Sequence, residues 1–234
     1  MKIITLRNTP YKEKDGILDV VSEDGLCSFL VKGLYSEKSK NRGLINALTI
    51  AEIEFADGNF KNRVLKSAEI SYTPVKANNE YDYMVLLMIV QEVTLRLLQG
   101  DEAKQIFTSL EKTINKIKDT KNPYFITLRY LFSVFGASGY KFDPSSCVFC
   151  ATKHNLITFS FNDGGFACRD CVNKSDIIFP KFNNNQLYAI HDAILQKEQT
   201  NALNREEFIE FLTIINEFIK DNYGVNLNSL VLMK

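Results

Sequence analysis

The sequence predicts a mixed α+β protein in which a β-rich amino-terminal part precedes a helical part that is interrupted by a cysteine-rich segment. The first part alternates short apolar runs with turn residues, whereas apolar residues in the second part recur at the helical period. Four of the five cysteines fall where no helical period is visible. We predict a barrel domain over 1–76, a helical domain over 77–140 and 182–234, and a cysteine-rich module over 141–181.

Five runs in the first part have the composition of β-strands, being rich in β-branched and apolar residues. They are MKIITLR, GILDVVS, LCSFLVKGL, LTIAEIEFA and VLKSAEISY. The stretch Asp57-Gly58-Asn59 between the last two is typical of a hairpin turn. Five short strands over this length favour a small closed barrel.

The helical part carries start and stop signals at several places. A first helix is predicted from Glu80 to Gly100, Asp101 is placed to cap a second helix, and Asn122-Pro123 is placed to begin a third. Two later segments, 185–197 and 204–223, show the same period of about 3.6 residues.

The composition is typical of a globular protein, with 45% apolar and 24% charged residues. The 28 basic and 28 acidic residues balance, so that binding to a polyanion must use a local patch. No apolar run approaches the roughly twenty residues that span a bilayer, and residues 1–7 lack the apolar part of a signal peptide. We therefore expect a cytoplasmic protein with no membrane partner and with reduced thiols.

Residues 147–150 and 168–171 each have the form Cys-x-x-Cys. This spacing is typical of a four-cysteine zinc site, because each tight turn places two sulfurs on one side of a tetrahedral ion. The residues between the pairs suit two short strands joined at Asn162-Asp163-Gly164, as in a zinc ribbon. We predict one structural Zn²⁺, without an open position for water, held by Cys147, Cys150, Cys168 and Cys171.

Other interpretations of the cysteines and histidines stay open at this point. Unrelated core cysteines are not expected as two matched pairs, and a redox-active motif needs only one pair. His154 could replace a cysteine ligand, although a surface loop suits it equally. Cys27 is expected to be a small core residue, and His191 a packed or solvated one.

A basic loop follows the third predicted strand, and we take it as the candidate contact with phosphates. A hairpin further along the chain could extend the patch, whereas the alternative is a solvated charged loop. The loop also contains a tyrosine that could stack on a base. The candidate DNA-binding residues are Lys32, Tyr35, Lys38, Lys40, Arg42, Lys61, Arg63 and Lys66.

Motifs of catalysis are missing from the sequence. We find no nucleophile elbow, P-loop, dinucleotide fingerprint or HExxH sequence. Neither histidine stands near a paired carboxylate or a cysteine of lowered pKa in the sequence, which leaves little for acid–base chemistry. A binding protein is therefore favoured over an enzyme, although an enzyme with an unrecognised site is a third hypothesis.

Three short motifs and the order of the parts are distinctive. The motifs are Pro10-Tyr11-Lys12-Glu13, Ser22-Glu23-Asp24-Gly25, and Lys32-Gly33 before a basic, serine-rich loop. In this order they resemble the start of the RecO recombination mediators. The stretch from Leu128-Arg129-Tyr130 to Gly139-Tyr140 is similar to the helix that precedes the cysteine hairpin in that family. The resemblance covers nearly the whole chain.

The resemblance implies an amino-terminal OB-fold, a helical domain and a four-cysteine zinc module. It further implies a DNA repair mediator, not an enzyme, that binds single- and double-stranded DNA and anneals complementary strands. Such mediators work with RecR and single-strand-binding protein to load RecA, at the nucleoid during repair. A second hypothesis is a zinc-ribbon and OB scaffold that recruits proteins or RNA without annealing DNA.

The resemblance also implies a partner site on the helical domain, where the acidic, aromatic-ended tail of single-strand-binding protein docks. Arg129 is the predicted partner-binding residue, because it is a lone cation on an apolar, aromatic helix and a guanidinium pairs well with a carboxylate. A snorkelling surface arginine is the alternative.

Of the rings on the barrel, Tyr35 is the best candidate for exposure to a nucleic-acid base. The other four are Tyr11, Phe29, Phe55 and Phe60.

Overall fold

The computed structural model describes residues 1–56, 64–74, 81–197 and 201–233. The chain divides into two compact units, Met1–Lys118 and Asp119–Lys234. The mixed α+β class predicted from the sequence is confirmed, with an antiparallel sheet at the amino terminus and a helical second half. The division places the first two helices in the same unit as the barrel strands. The predicted domain bounds, which separate all helices from the barrel, stay a prediction.

The first unit contains a five-stranded antiparallel sheet of order β3-β2-β1-β4-β5. A parallel bridge between Leu30 and Val64 joins the last part of β3 to the start of β5 and closes the sheet. This connectivity is that of the OB-fold barrel. The strands are β1 (Lys2–Tyr11), β2 (Asp15–Ser22), β3 (Gly25–Val31), β4 (Ile50–Phe55) and β5 (Leu65–Tyr72).

Alternation along the strands builds the barrel core. In β4, for example, Ala51 and Ile53 are buried, whereas Glu52 and Glu54 between and after them face solvent. Leu34 and Leu44, on either side of the basic loop, are fully buried in the same core. Each such leucine contributes roughly 1.5–3 kcal/mol on burial, so that the core holds both ends of the loop.

Two helices complete the first unit, α1 (Tyr81–Leu97) and α2 (Glu102–Ile117). The predicted start of α1 at Glu80 lies outside the described residues, as does the predicted turn at 57–59. The predicted cap by Asp101 is wrong, because Asp101 has helical backbone angles and no capping hydrogen bond from its side chain. Its carboxylate instead lies 3.0 Å from Lys104 Nζ.

The second unit combines three long helices with a small sheet of order β6-β8-β7. The three predicted helices and both predicted hairpin strands are present, whereas β6 and the short helix α4 were not predicted. A 3-10 helix, Asn228–Met233, follows the last α-helix. The elements are α3 (Pro123–Ala137), β6 (Asp143–Cys147), β7 (Leu156–Ser160), β8 (Gly165–Cys168), α4 (Arg169–Lys174), α5 (Asn184–Ile194) and α6 (Arg205–Tyr223).

Side chains at two helix starts in the second unit have different roles. Asn204 caps α6 in a capping box with Glu207, as its position before the apolar stripe suggests. Asn122 was predicted to cap α3 but does not. Its amide oxygen accepts from the Leu203 N–H at 3.0 Å, and its amide nitrogen donates to the Asn201 carbonyl at 3.1 Å. A contact distant in sequence therefore replaces the local one.

An aromatic cluster joins the small sheet to the helices of the second unit. Phe132 of α3 stacks on Phe161 with ring centroids 5.9 Å apart, and Phe161 lies 5.6 Å from Phe218 of α6. Phe159 of β7 packs edge-to-face on Phe166 of β8 at 5.2 Å. The cysteine-rich segment is therefore packed onto the helical core. No helix within the described ranges is long and apolar enough to cross a lipid bilayer.

Candidate metal centre and nucleic-acid interface

The second unit brings four cysteine sulfurs together. Their Sγ atoms all lie within 4.8 Å of one another, and those of Cys150 and Cys168 are 3.6 Å apart. A tetrahedral ion with metal–sulfur bonds of about 2.3 Å requires sulfurs about 3.8 Å apart. The four residues predicted as ligands are therefore placed where they could hold one metal ion. They are Cys147, Cys150, Cys168 and Cys171.

Local backbone geometry explains how each pair is formed. Cys147 ends β6, and its N–H donates to the Thr152 carbonyl at 2.8 Å while its own carbonyl accepts from Ala151. Ala151 has the positive φ of 59° that this tight turn needs, and the turn returns Cys150 toward Cys147. In the second pair, Cys168 ends β8 and Cys171 follows it one turn into α4.

The hairpin between the pairs follows the prediction. Strands β7 and β8 are antiparallel, and the turn between them is tied by Asp163, whose carboxylate accepts from the Ser160 hydroxyl at 2.6 Å. The unpredicted strand β6 runs parallel to β8 on its other side. A Cβ on Gly165 would lie 2.7 Å from the Asp143 carbonyl oxygen, so this close approach requires glycine.

The cysteines of the cluster differ in their pKa values. Burial raises the pKa of Cys147, but N–H donors from Cys168, Phe149 and Cys150 outweigh it and lower that pKa from 9.0 to about 6. The neighbouring Cys150 sulfur, together with burial, raises the pKa of Cys171 to about 12. The Cys147 thiol therefore ionises more readily than an ordinary cysteine, whereas the Cys171 thiol resists ionisation. A divalent ion held by the four sulfurs would stabilise all four in the thiolate form.

The fifth cysteine and the two histidines lie outside this cluster. His154 is exposed and is not part of the ligand group that the described chain brings together. Cys27 is half-buried against the barrel core. His191 is half-buried on α5, with its Nδ1 atom 3.0 Å from the Asp192 carboxylate.

The basic loop is an ordered series of turns. Backbone N–H groups of Ser36, Ser39 and Arg42 each donate to a carbonyl three residues earlier, at 3.0–3.4 Å. The four predicted cations on this loop are exposed. They are Lys32, Lys38, Lys40 and Arg42. The loop can therefore present its charges from a defined backbone.

Hydrogen bonds hold the basic loop against the turn between β1 and β2. The Gly33 N–H donates to the Asp15 carboxylate at 2.8 Å, and the Tyr35 N–H donates to the Lys14 carbonyl at 2.9 Å. A Cβ on Gly16 would lie 2.5 Å from a Leu34 methyl carbon, which shows how closely the segments approach. Further along, Asn8 Nδ2 donates to the Ile45 carbonyl at 2.6 Å.

The contact between these two segments adds residues that the sequence did not assign. Lys12 and Lys14 are exposed on the β1–β2 turn, to which Gly33 and Tyr35 of the loop are hydrogen-bonded. Tyr11 is 43% exposed, and Lys12 Nζ lies 5.3 Å from its ring centroid. We call the combined surface the barrel surface. It comprises Tyr11, Lys12, Lys14, Lys32, Lys38, Lys40 and Arg42.

Tyr35 is a less accessible ring than the sequence suggested. It is half-buried and packs against the barrel core, and its hydroxyl donates to the Asn8 side-chain oxygen. These contacts give Tyr35 a role in anchoring the loop. Tyr11 is the more exposed ring, and the Pro-aromatic motif at the end of β1 was the available signal for it.

The hairpin cations differ from those of the loop. Lys61 and Arg63 lie outside the described residues. Lys66 is on β5, where its Nζ lies 3.4 Å from the Glu54 carboxylate and both side chains are about two-thirds exposed. The charge of Lys66 is therefore balanced locally.

Arg129 lies on the one stripe of α3 that is not buried. It is half-buried, as is Ser133 one turn later, whereas most of the helix is within the core. The Gln196 side chain lies over this stripe. Its nitrogen donates to the Arg129 carbonyl, and its oxygen accepts from the Ser133 hydroxyl. Within the described parts of the chain, no carboxylate forms an ion pair with the Arg129 guanidinium.

The fold and the site define a two-part protein, with an OB barrel followed by a helical unit that carries a four-cysteine cluster. Residues 1–73 match the family model described as "Recombination protein O N terminal", and residues 79–230 match "Recombination protein O C terminal". The chain therefore belongs to the RecO family of DNA repair proteins, as its motifs suggested.

Curated relatives agree with this assignment along the whole chain. DNA repair protein RecO of Mycoplasma capricolum is 23% identical over 100% of this chain and 96% of its own length. DNA repair protein RecO of Halalkalibacterium halodurans is 22% identical over 97% of this chain and 90% of its own length. The protein of that name from Syntrophomonas wolfei is 23% identical over 73% and 68%, respectively.

Proposed function

We propose that this chain is a DNA-binding recombination mediator that anneals complementary single strands. In this role it acts with RecR to load RecA onto strands coated with single-strand-binding protein, in the cytoplasm at the nucleoid. It works by binding, without turnover chemistry. The observation that carries the proposal is the barrel surface, where an exposed ring and six cations lie on two segments of an OB barrel that are hydrogen-bonded together.

The physical basis of this function is the combination of charge and stacking. Lysine and arginine neutralise phosphates and release counterions, whatever the base sequence. An exposed aromatic ring stacks on an unpaired base, which a duplex does not offer. Cations that neutralise two strands also lower the repulsion between them. A surface of this kind therefore suits strand annealing better than sequence-specific recognition of DNA.

We propose that the cysteine cluster holds one structural zinc ion. The donor set is all sulfur, the four sulfurs are close enough for a tetrahedron, and two of the four residues are almost fully buried. Four thiolates fill the coordination sphere of zinc. The ion would therefore fasten β6, β8 and α4 to one another and take no part in catalysis.

The proposal predicts that Tyr11→Ala weakens binding of a fluorescent oligothymidine by roughly 5- to 100-fold, as expected for the removal of one base stack. Tyr11→Phe should bind like the wild type, because the ring is kept. Fluorescence anisotropy at two salt concentrations measures both. Tyr81→Ala is the matched control, since Tyr81 is 60% exposed on α1 and is not part of the barrel surface.

Two outcomes of this titration would count against the proposal in different ways. If the wild-type chain shows no salt-dependent binding to the oligonucleotide, the DNA-binding function fails and the scaffold hypothesis gains. If the wild type binds but Tyr11→Ala and Tyr81→Ala bind equally well, only the assignment of Tyr11 fails.

We also propose that Arg129 contributes to docking of the acidic tail of single-strand-binding protein. Its guanidinium has no described carboxylate partner and stands on an aromatic helix, so it suits a tail with carboxylates and a terminal ring. Arg129→Ala should make the binding free energy of a synthetic tail peptide less favourable by roughly 1.5–3 kcal/mol, as measured by calorimetry. Binding to naked DNA should be unchanged. Lys220→Ala, an exposed cation on α6, is the control. Equal affinity of wild type and Arg129→Ala would remove Arg129 from the site.

A further inference from the structure

An exposed apolar segment links α4 to α5 in the second unit. Ile178 is 96% exposed and Ile177 is 59% exposed, in a stretch without helix or strand. Phe179 beside them packs edge-to-face on Phe149 of the first cysteine turn, with ring centroids 5.9 Å apart, and Phe149 is itself 46% exposed. Single exposed apolar side chains are ordinary, but neighbouring ones commonly mark a binding surface.

A cavity of about 320 Å³ lies directly against this segment. The two isoleucines form one side of it, and the turn between β7 and β8 and one face of α6 form the others. Phe161 and Phe218, both nearly fully buried, line its inner part together with Ile214. The cavity and the exposed segment together form one open groove that is lined by both apolar and polar side chains.

The charged residues that line this groove are all acidic. Three exposed carboxylates line it, Asp163 on the hairpin turn and Glu217 and Asp221 on α6. No lysine or arginine is among the described residues that line it. Phosphates would be repelled here, so this groove does not extend the nucleic-acid interface. A ligand in which an apolar side chain stands beside a cation could place the apolar group against the isoleucines and phenylalanines, and pair the cation with the carboxylates at the rim.

We propose that this groove binds an extended segment of a partner protein in which an arginine or lysine stands beside an aliphatic or aromatic side chain. The apolar side chain occupies the interior between Ile214 and the exposed isoleucines, and the cation pairs with Glu217 or Asp221. The groove has the opposite charge to the Arg129 site. It therefore takes a different partner segment from the acidic tail, and the inference is independent of the proposed DNA function.

Methyl NMR of the full chain labelled at the isoleucine δ1 positions tests the proposal. The probe is the peptide acetyl-Leu-Arg-Phe-Arg-Leu-amide, and the reference is the same peptide with glutamate in place of arginine. We expect the basic peptide to shift the signals of Ile177, Ile178 and Ile214 selectively. The double change Glu217→Gln and Asp221→Asn should weaken this binding roughly two- to twentyfold, as for two exposed ion pairs.

The controls decide whether the effect is specific. Glu206→Gln removes an exposed carboxylate from the first turn of α6, outside the groove, and should leave the affinity unchanged. Ile178→Ser should lower the affinity for the basic peptide without affecting the fold, because this side chain is almost fully exposed. The proposal is overturned if the basic peptide shifts none of the three signals. It is equally overturned if the acidic peptide binds as well, or if the Glu217→Gln and Asp221→Asn chain binds like wild type.

Discussion

Replacing Cys168 with serine should abolish metal binding at the cysteine centre and unfold the small sheet of the second unit. Cys168 is 2% exposed at the end of β8, the central strand, and its N–H donates to Cys147 Sγ at 3.3 Å. A hydroxyl is a poor ligand for zinc beside three thiolates. Because structural zinc sites contribute on the order of 10–16 kcal/mol of apparent binding free energy in small peptides, this substitution should have the largest effect.

Elemental analysis and thermal denaturation measure this effect. The wild-type chain should contain one zinc per chain, and Cys168→Ser should contain close to none and have a lower Tm. Cys27→Ser is the matched control, because Cys27 is packed against the barrel, and its zinc content should equal that of the wild type. A native preparation without zinc, with the thiols reduced and the fold intact, would contradict the metal assignment.

Reversing two charges of the basic loop, Lys38→Glu together with Lys40→Glu, should weaken binding to single-stranded DNA of any sequence. Both side chains are exposed, and the backbone beneath them is held by turns, so that the change alters charge without removing packing. The plot of log affinity against log salt should become shallower by about 0.7 for each phosphate that the chain no longer neutralises. Leu34 and Leu44 remain in place to anchor the loop.

The control for this prediction is a reversal of equal charge elsewhere in the chain. Lys112→Glu together with Lys121→Glu changes two exposed cations outside the barrel surface, and it should change affinity less than the loop reversal. Lys66→Glu tests whether the surface extends onto β5, where Glu54 already balances the charge. If the loop reversal leaves both slope and affinity unchanged, the loop is only a solvated surface.

The clustering of the four cysteines could be predicted from the sequence because the information for it is local. Two Cys-x-x-Cys turns place their own sulfurs, and a hairpin with a strong turn signal brings the pairs together. The third strand of that sheet, β6, was missed because its sequence, Asp143–Cys147, has neither alternation nor β-branched residues. It forms a strand because it pairs with β8, and Gly165 of β8 has no Cβ to block that close approach.

Contacts distant in sequence account for most of what could not be predicted. Asn122 has the position of a helix cap, but its side-chain oxygen accepts a hydrogen bond from the Leu203 N–H instead. Tyr11 and Tyr35 are both aromatic residues near lysines, and the packing of Tyr35 against the barrel core and its hydrogen bond to Asn8 show that it is the anchored ring. The acidic groove is built from three separate segments, so that no single stretch of sequence indicates it.

The proposed annealing activity can be measured with two complementary strands coated with single-strand-binding protein. Fluorescence energy transfer between labelled strands reports the rate. We expect the wild-type chain to accelerate annealing, Lys38→Glu with Lys40→Glu to lose most of the acceleration, and Lys112→Glu with Lys121→Glu to keep it. Annealing that proceeds at the same rate with and without the wild-type chain would show that the chain is not an annealing protein.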